Sequence, residues 1–514
     1  MKTTPKTSNL FHSKLTAGAF AALAPALISL TFSSTAQAAT LTWNGGNPGH
    51  PAWYANANWD GSAPTDGDSL VFAGNLVTTH YAYAGSDGDG DLQVAGITFA
   101  DDAGAFVINY AGGGIIKLQG DITNDDADLQ TLNFNFQLNG GNDAPIDFRT
   151  VNTSAGDIAI GGIISQDVAG LSLTKAGSHT LTLSGANTHT STKIGATNGV
   201  TAGTVSIRNN AALGTGNLDY GAGGTLQLGV DGLAVANGIF VGNRIDTAAR
   251  TIQLDLAGSN TGELTGNIDI RVDQVGEFVA DVGTDDTLTF SGNLVTGAGG
   301  NAGLTKAGAG TLVLEGTNTY VGATTVNDGT LIVDGNSSGV AGNVTIASGA
   351  TLGGSGTIGG ATTIQSGATL AAGNSPGVLT FNDNLTLSAG SDTVMEITGT
   401  TRDSQYDGID VGGLLTYGGA LTITSTAEIA DGTYDLFGIN GTEGGDFATV
   451  VLSGLAYSDD VFSLSSDMWT AIVGSKTYSF SQITGDLTVV PEPETFALLG
   501  GLLALGYVMV RRRR

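Results

Sequence analysis

One segment of this chain occurs twice, and this repeat restricts the possible folds more than any other feature. Residues 173–189 read LTKAGSHTLTLSGANTH and residues 304–320 read LTKAGAGTLVLEGTNTY, with 11 of 17 aligned positions identical. Within each copy, leucines alternate with polar residues, which is the period of a strand that buries one face. Glycine-rich and Asn-Thr turns lie on both sides of that strand. The repeat therefore predicts a short strand between two turns.

Weaker copies extend this pattern along the chain. Apolar pairs such as Val344/Ile346 and Ile364/Leu370 return after roughly 18 to 22 residues, an interval typical of solenoids. Between the two chain ends, no stretch has the pattern of an amphipathic helix longer than a turn or two. Short strands that each bury one face need stacked neighbours to complete a core. We therefore predict an all-β fold, a right-handed parallel β-helix with N- and C-terminal caps and some 15 to 20 rungs about 4.8 Å apart.

The repeat resembles the autotransporter-associated β-strand repeat of bacterial surface and passenger proteins. The resemblance lies in the pattern LTKxGxGTLxLxGxNTYxGxTTVxxGTLxV, which residues 304–333 match nearly throughout. The first copy, over residues 173–200, departs from it after His189, where TSTKIGATNGV replaces the usual Tyr-x-Gly-x-Thr turn. The resemblance implies an exported, rod-like β-helix and implies no activity.

The last 24 residues carry three parts in a fixed order, beginning with Pro491, Glu492 and Pro493. An uncharged run then begins at Phe496 and ends at Val510, and as a helix it would span roughly 22 Å of a hydrocarbon core of roughly 30 Å. Such a short span is tolerable because arginine side chains snorkel and a bilayer thins locally. Basic residues stay on the cytoplasmic side of a membrane. Here these are Arg511, Arg512, Arg513 and Arg514. We therefore predict a transmembrane helix over residues 496–510.

This end of the chain resembles the PEP-CTERM sorting signal of exported bacterial proteins in the order, spacing and terminal position of its parts. In that family an exosortase recognises Pro-Glu-Pro at the membrane and removes the anchor during delivery to the cell surface or the polysaccharide matrix. The resemblance implies that residues 491–514 are a sorting signal and that an exosortase is a partner. It also implies that the inner membrane holds the chain only transiently. A simple retained membrane anchor is the alternative.

Residues 1–38 have the three parts of a secretory signal peptide. Lys2, Lys6 and Lys14 precede an uncharged stretch over residues 15–32, and a small-x-small site ends at Ala38. A basic segment, an apolar segment and a small-residue cleavage site are the parts that direct secretion. We expect cleavage after Ala38, which would leave an exported domain over residues 39–490.

The chain has no cysteine and is strongly acidic. It holds 47 Asp and Glu against 18 Lys and Arg, a formal net charge of −29. That excess argues against nucleic acid or an anionic membrane surface as a partner. Glycine, at 81 of 514 residues, is far above its usual share and follows no G-X-Y period, which excludes collagen. Because no disulfide can form, stability must come from packing or from repetition.

The exported domain divides into three parts by its sequence pattern. Residues 39–72 hold Trp43, Trp53 and Trp59, and we interpret this segment as an N-terminal cap because a solenoid needs its open end covered. An exposed aromatic patch that stacks on sugar rings is the alternative. Residues 73–390 are predicted to form the β-helix. Residues 391–490, where aromatic residues return, are predicted to form a C-terminal β cap region.

Three aspartates, Asp87, Asp89 and Asp91, have the spacing of a calcium-binding loop. Leu92 stands where such a loop needs glycine, and Thr98 stands where it needs a bidentate glutamate. A solvated acidic turn explains the segment better. We therefore predict no metal site and no cofactor, and we keep these aspartates as a weak calcium candidate.

A carbohydrate-active enzyme, either a polysaccharide lyase or a hydrolase, is the main alternative to a non-catalytic protein. Sites of this kind gather carboxylates and basic side chains in one groove. The candidates here are a loose basic cluster and several carboxylates in turns: Arg244, Arg250, Arg271, Asp285, Asp286, Asp403, Asp407 and Asp410. A β-helix alone is no evidence of activity. We predict no catalytic residue. We predict a non-catalytic surface or extracellular-matrix protein, structural or adhesive, with extracellular polysaccharide as a partner.

Overall fold

A computed structural model describes most of the chain. The described residues are 38–82, 90–110, 114–140, 148–195, 202–221, 223–242, 248–271, 277–297, 302–373, 376–492, 501, 505, 507–509 and 511. The chain divides into two compact units, Met1–Ala38 and Ala39–Arg514. The predicted signal peptide spans the first unit and, apart from Ala38, lies outside the described residues.

Three long sheets contain most of the strands of the second unit. Sheet 1 has 14 strands: Thr40–Trp43, Asp68–Phe72, Leu92–Phe99, Ile116–Leu118, Ile122–Asn124, Phe136–Leu138, Phe148–Asn152, Ile164–Gln166, Ser172–Ala176, Ser191–Ile194, Leu218–Tyr220, Ile239–Val241, Ile268–Ile270 and Leu294–Val295. Sheet 2 has 16 strands: Thr79–Ala82, Val107–Tyr110, Gln130–Asn133, Ile158–Ile160, Thr180–Leu183, Thr204–Ile207, Gly224–Leu228, Arg250–Leu254, Phe278–Val282, Leu304–Ala307, Thr324–Val326, Val344–Ile346, Thr362–Ile364, Leu385–Leu387, Leu414–Tyr417 and Thr442–Gly445.

Sheet 3 and two smaller sheets hold the remaining strands. Sheet 3 has 11 strands: Leu233–Val235, Thr261–Leu264, Thr287–Phe290, Thr311–Leu314, Thr330–Val333, Thr351–Gly354, Thr369–Ala372, Asp392–Glu396, Ala420–Thr424, Thr449–Ser453 and Asp460–Val461. Sheet 4 has five: Asn336–Ser337, Thr357–Ile358, Val378–Phe381, Gly408–Val411 and Phe437–Ile439. Sheet 5 also has five: Gly432–Asp435, Ser463–Ser465, Met468–Val473, Lys476–Ser481 and Asp486–Pro491. A short 3-10 helix occupies Asn56–Asn58.

The chain visits the sheets in turn and so builds a parallel β-solenoid. It passes from Ile239–Val241 in sheet 1 to Arg250–Leu254 in sheet 2 and Thr261–Leu264 in sheet 3. It then returns to sheet 1, where Ile268 pairs with Ile239 in parallel. The solenoid has about 14 turns. The prediction of an all-β parallel β-helix is therefore confirmed, and its right-handed winding stays a prediction.

The core of the solenoid consists of the inward residues of these strands. Leu181, Leu183, Leu312 and Leu314, the paired leucines of the two repeat copies, are at most 1% exposed. Each stacks on the equivalent residue of a neighbouring turn, as Leu312 does on Leu331. The alternation seen in the sequence therefore separates the core from the surface.

One side of the solenoid changes sheet partway along the chain. Sheet 1 ends at Leu294–Val295 and sheet 4 begins at Asn336–Ser337. The intervening turn still bridges them, because Thr319 donates its N–H to the carbonyl of Leu294 at 2.9 Å and Asn318 donates to Asn336 at 2.8 Å. The stacking of turns thus continues through the second repeat copy.

The N-terminal tryptophans are buried in the first turns. Trp43, Trp53 and Trp59 are at most 3% exposed, and they pack edge to face or tilted against one another and against Phe72. The strands of this segment, Thr40–Trp43 and Asp68–Phe72, pair in parallel within sheet 1. Buried rings offer no face to a sugar, so the sugar-stacking interpretation is wrong.

The C-terminal region is part solenoid and part antiparallel sheet. Asp392–Glu396 and Ala420–Thr424 continue sheet 3, whereas sheet 5 is antiparallel throughout. Sheet 5 buries Trp469 and Phe480 on one face, and the Phe480 ring lies 5.9 Å from that of Phe437 in sheet 4. Aromatic packing therefore joins sheet 5 to the last turns of the solenoid.

The described positions near the C-terminus, 501, 505, 507–509 and 511, have helical backbone. Among the described residues, no helix has the length and the apolar character needed to cross a membrane. The two ends of the predicted span, Phe496 and Val510, lie outside the described residues, as do Arg512, Arg513 and Arg514.

Candidate functional site

The lysine of the first repeat copy points into the core. Lys175 is fully buried, and its ammonium donates hydrogen bonds to the carbonyls of Ala176 at 3.0 Å, Gly177 at 2.7 Å and Ala202 at 2.7 Å. Ala202 belongs to the following turn, so one side chain ties two turns together. Burial lowers the pKa of Lys175 to about 7, and the carboxylate of Asp157 opposes part of that shift.

The lysine of the second copy occupies the same environment. Lys306 is fully buried and donates to Ala307 at 2.9 Å, Gly308 at 2.6 Å and Asp328 at 3.2 Å, all backbone carbonyls. Burial lowers its pKa to about 8. Gly308 has φ +73°, and a side chain there would meet the backbone of Val282 in the preceding turn. The Lys-x-Gly part of the repeat is therefore a structural corner, built from a buried cation and a left-handed glycine.

The repeated asparagine also joins neighbouring turns. Asn187 accepts the N–H of Ile164 at 2.8 Å and donates to the carbonyl of Ala212 at 2.7 Å. Asn318 makes the corresponding bonds, accepting from Leu294 at 2.9 Å and donating to Ser337 at 3.0 Å. Because buried backbone groups must find partners, these amides hold the turn in place.

A third repeated position pairs with a threonine inside the solenoid. His189 Nε2 lies 2.9 Å from the hydroxyl of Thr192, and in the second copy the Tyr320 hydroxyl lies 2.5 Å from that of Thr324. Burial lowers the pKa of His189 to about 4 and raises that of Tyr320 to about 12. Both groups are therefore neutral at pH 7 and lie inside the core. Taken together, the repeated polar residues bind backbone and other core groups rather than solvent.

The first predicted pair of carboxylates lies in a turn. Asp286 is 1% exposed and accepts the N–H groups of Leu256 at 3.0 Å and Asn260 at 2.9 Å. Asp285 has φ +65°, a left-handed backbone conformation that aspartate tolerates in turns. This pair shapes a corner of the solenoid.

The second set of carboxylates is divided between two structural roles. Asp407 is 4% exposed and accepts the N–H groups of Gly377 at 3.0 Å and Glu396 at 2.7 Å, while burial raises its pKa to about 6. Asp410 instead accepts from the guanidinium of Arg402 at 2.7 Å. The third member, Asp403, lies in a turn with φ +75°. All of these contacts are internal.

The two described arginines of the loose basic cluster, Arg250 and Arg271, lie in different environments. Arg250 is fully buried and donates to the carbonyl of Ala248 at 2.8 Å, whereas Arg271 is exposed. Arg244 lies outside the described residues. Of the described pair, one arginine is thus in the core and the other at the surface.

Arg271 borders an open groove on the outer side of sheet 1. The groove has a volume of about 580 Å³ and is lined by Thr190, Ser191, Gly216, Asn217, Asp219, Phe240, Gly242 and Arg271. The Arg271 guanidinium lies 5.1 Å from the centre of the Phe240 ring and donates to Asp269 at 2.6 Å. Asp269 also accepts the N–H of Gly297 at 2.8 Å. Its carboxylate is therefore engaged on both oxygens.

The charges of the groove come in opposed pairs. Asp269 faces Arg271, and Asp219 lies 3.9 Å from the Lys193 ammonium. Such a surface offers hydrogen bonds and one aromatic ring, and its charges nearly cancel. Sequence reasoning missed Phe240 and Asn217. The available signal was a lone aromatic residue at an outward position between the buried Ile239 and Val241.

Asp91, one of the weak calcium candidates, is engaged in a salt bridge. Its carboxylate lies 2.8 Å from the Lys117 ammonium and accepts the N–H of Ile115 at 2.9 Å. Its hydrogen bond with Lys117 keeps the pKa of Asp91 below its usual value. Asp87 and Asp89 lie outside the described residues. In the described part of the chain, no group of three or more metal-ligating side chains is found.

The described part of the predicted sorting signal continues sheet 5. Pro491 ends the strand Asp486–Pro491 and pairs with Lys476, and Glu492 donates its N–H to the carbonyl of Ser475 at 2.8 Å. Both residues are half-buried. Pro493 lies outside the described residues. The peptide is thus extended up to Glu492 and is paired with the neighbouring strand Lys476–Ser481.

Comparison with known proteins agrees with the repeat. The Passenger-associated-transport-repeat family matches residues 173–207 and 304–333, which include both copies. These segments hold the buried lysines and the paired leucines described above. The fold and the repeat define a class, that of parallel β-solenoids with passenger-type repeats.

One curated protein is similar to this chain over a longer stretch. It is the Adhesin BmaC autotransporter of Brucella suis biovar 1 (strain 1330), and the identity is 32% over 246 residues. The aligned region covers 45% of this chain but only 6% of that adhesin. This chain therefore spans only a small part of that adhesin's length.

Proposed function

We propose that this protein is an exported, non-catalytic structural or adhesive solenoid of the cell surface or the extracellular polysaccharide matrix. One observation supports this most: the polar residues repeated along the solenoid form internal hydrogen bonds. Lys175, Lys306, Asn187 and Asn318 bind backbone or side-chain groups inside the fold. A repeat of this kind maintains a long, regular surface.

The similarity to an adhesin supports a role in attachment, with the protein displayed outside the cell. The acidic surface fits the same environment, since 45 of the 47 Asp and Glu precede Pro491. Strong net charge keeps such a domain soluble and repels anionic surfaces. Attachment would then depend on regions of the surface that carry little net charge.

We further propose that an exosortase delivers the protein through residues 491–514. Pro491 cannot donate a backbone hydrogen bond, and it is the last residue of the strand Asp486–Pro491. An enzyme could therefore grip the chain immediately after Glu492. The uncharged run that starts at Phe496 would hold the chain in the inner membrane until cleavage, with the terminal arginines in the cytoplasm.

Fractionation of cells that produce the protein tests this proposal. The wild-type protein is expected at the surface or in the matrix, and a variant with Pro491, Glu492 and Pro493 all changed to alanine is expected to remain with the inner membrane. The matched control changes three exposed residues of one turn to alanine, namely Thr400, Thr401 and Ser404. A Pro491–Pro493 variant sorted like the wild type would exclude recognition of the Pro-Glu-Pro segment. Wild-type protein found only in the cytoplasm would overturn the proposal as a whole.

A further inference from the structure

A straight row of threonines runs along the outer side of sheet 2. Six consecutive strands place a threonine at the same register position, and each pairs directly with the next: Thr305, Thr325, Thr345, Thr363, Thr386 and Thr416. Adjacent strands of a sheet lie about 4.8 Å apart, so the row spans roughly 24 Å. We call these six residues and their outward neighbours the threonine face.

The hydroxyls of this row are available to a partner. All six threonines are half-exposed, and none of their hydroxyls forms a hydrogen bond with another described residue. Two inward threonines of the same sheet behave differently, because Thr324 bonds Tyr320 and Thr362 bonds the carbonyl of Gly360. The row therefore presents a hydroxyl and a methyl group once per turn.

The threonine face carries no charge. The outward positions two residues before and after each of the first five threonines are Gly303, Ala307, Ala323, Asn327, Asn343, Ala347, Ala361, Gln365, Asn384 and Ser388. The chain as a whole, in contrast, has a net charge of −29. Acidic residues lie around it: Asp281 is on the preceding strand, and Asp328 and Asp383 are in turns.

Strand propensity alone does not account for the threonine face. Threonine favours strands and pairs well across them. Valine or isoleucine would serve equally, and earlier turns of the same sheet carry long or charged residues at the neighbouring outward position, as in the chain of Gln227, Gln253 and Asp281. At that neighbouring position Asp281 is the last charged residue, and the later strands of the row carry none.

We propose that the threonine face is a docking surface for a neutral polysaccharide chain that lies along it. This inference rests on the proposed function and names the surface and the class of polymer. A sugar ring offers both hydroxyls and C–H faces, which match the hydroxyl and methyl groups of each threonine. A flat face holds one sugar weakly, but a polymer that contacts several turns gains avidity from many weak contacts.

The charge and the contact area of the threonine face favour a neutral polymer over an acidic polysaccharide or a second copy of the chain. An acidic polysaccharide would find no cation on the face and would meet Asp281, Asp328 and Asp383 around it. A second copy of the chain would bring the same acidic edges together. Its contact along a strip roughly 24 Å long would also fall well below the roughly 800 Å² per partner of a stable interface.

Co-sedimentation of the full-length protein with polysaccharides tests this docking. The neutral probes are cellulose, curdlan and insoluble dextran beads, and alginate gel is the acidic probe. We expect the wild type to bind at least one neutral polymer, a soluble long chain of the same sugar to compete, and its disaccharide not to compete. The double substitution Thr345→Asp/Thr363→Asp should weaken binding by about tenfold or more. Thr345→Val/Thr363→Val, which keeps the shape and removes the hydroxyls, should weaken it less.

Two control variants test whether binding depends on this surface in particular. Thr422→Asp places the same charge on the outer side of sheet 3, and Phe240→Ala alters the groove on sheet 1; both should bind as the wild type does. Circular dichroism of each variant establishes that it is folded.

Four results would overturn the inference. These are unchanged binding by the folded double-aspartate variant, binding to none of the neutral polymers, equal binding to alginate, or loss of binding in Phe240→Ala alone. Self-association of the wild type that the double-aspartate variant lacks, measured by sedimentation velocity without polymer, would assign the face to a second copy instead. In each case, surface location in fractionated cells would leave the proposed function standing.

Discussion

The Lys175 ammonium donates a 2.7 Å hydrogen bond to the carbonyl of Ala202, 27 residues further along the chain. A buried lysine thus joins one turn of the solenoid to the next. Lys306 repeats the arrangement with Asp328. The charge of the repeated lysine suggests a position at the surface. In this protein, however, the lysine lies in the core.

Replacement of Lys306 by methionine should destabilise the solenoid locally. Methionine keeps the length of the side chain but removes three hydrogen bonds to part-buried backbone carbonyls, and each carbonyl left without a partner costs at most about 1–3 kcal/mol. We expect a lower Tm in thermal unfolding and faster amide exchange in the strand Thr311–Leu314. Lys193→Met is the control, because Lys193 is half-exposed beside Asp219. Equal Tm values for the two variants would contradict a structural role for the buried lysine.

A charge on the inner side of sheet 3 should be far more harmful than one on its outer side. Leu314 is 1% exposed, whereas its neighbour Val313 faces outward. Leu314→Asp would bury an unpaired carboxylate and should cost several kcal/mol, while Val313→Asp should cost about 1 kcal/mol or less. Limited proteolysis and thermal unfolding of the two variants measure the difference. Similar losses in both would mean that the alternation does not define the core.

The parts of the fold that could be predicted follow from period and spacing. Leu312 and Leu314 repeat every second residue, and stacking is the physical means of burying such short strands. The same alternation places Lys306 inward, two residues after Leu304, but lysine is so rarely buried that the pattern is easily missed there. Contacts between neighbouring turns, such as that of Phe240 with Arg271, depend on which residues come into register. Turns of unequal length hide that register in the sequence.

Stability should depend on pH through Asp407. Burial raises its pKa from 3.8 to about 6 in the folded protein, and the nearby Glu396 contributes to the shift. Between these two values the folded state binds more protons than the unfolded state, so stability falls as pH rises from about 4 to about 6. The loss, relative to Asp407→Asn, should be on the order of 3 kcal/mol. Unfolding of both proteins at pH 4, 5 and 7 measures it; a pH-independent difference would contradict the shifted pKa.

Loss of the buried asparagine of the repeat, Asn318, should destabilise the fold more than loss of the exposed Asn327. Asn318 links Leu294 in the preceding turn to Ser337 in the following one. Asn318→Ala leaves the Leu294 N–H unsatisfied and should cost about 1–3 kcal/mol. Asn327→Ala, at an exposed position of the next turn, should change stability by about 0.5 kcal/mol or less. Chemical unfolding measures the free energy of unfolding of both variants. A larger loss of stability in Asn327→Ala than in Asn318→Ala would contradict the structural role of Asn318.

The intact mass of the protein recovered from the cell surface tests most directly that this is an exported solenoid released by a sorting enzyme. Our account predicts a product that begins after Ala38 and ends close to Pro493, without the uncharged run and the terminal arginines. A surface product whose mass still includes Arg514 would show that the C-terminal segment is a retained anchor, and would contradict the account.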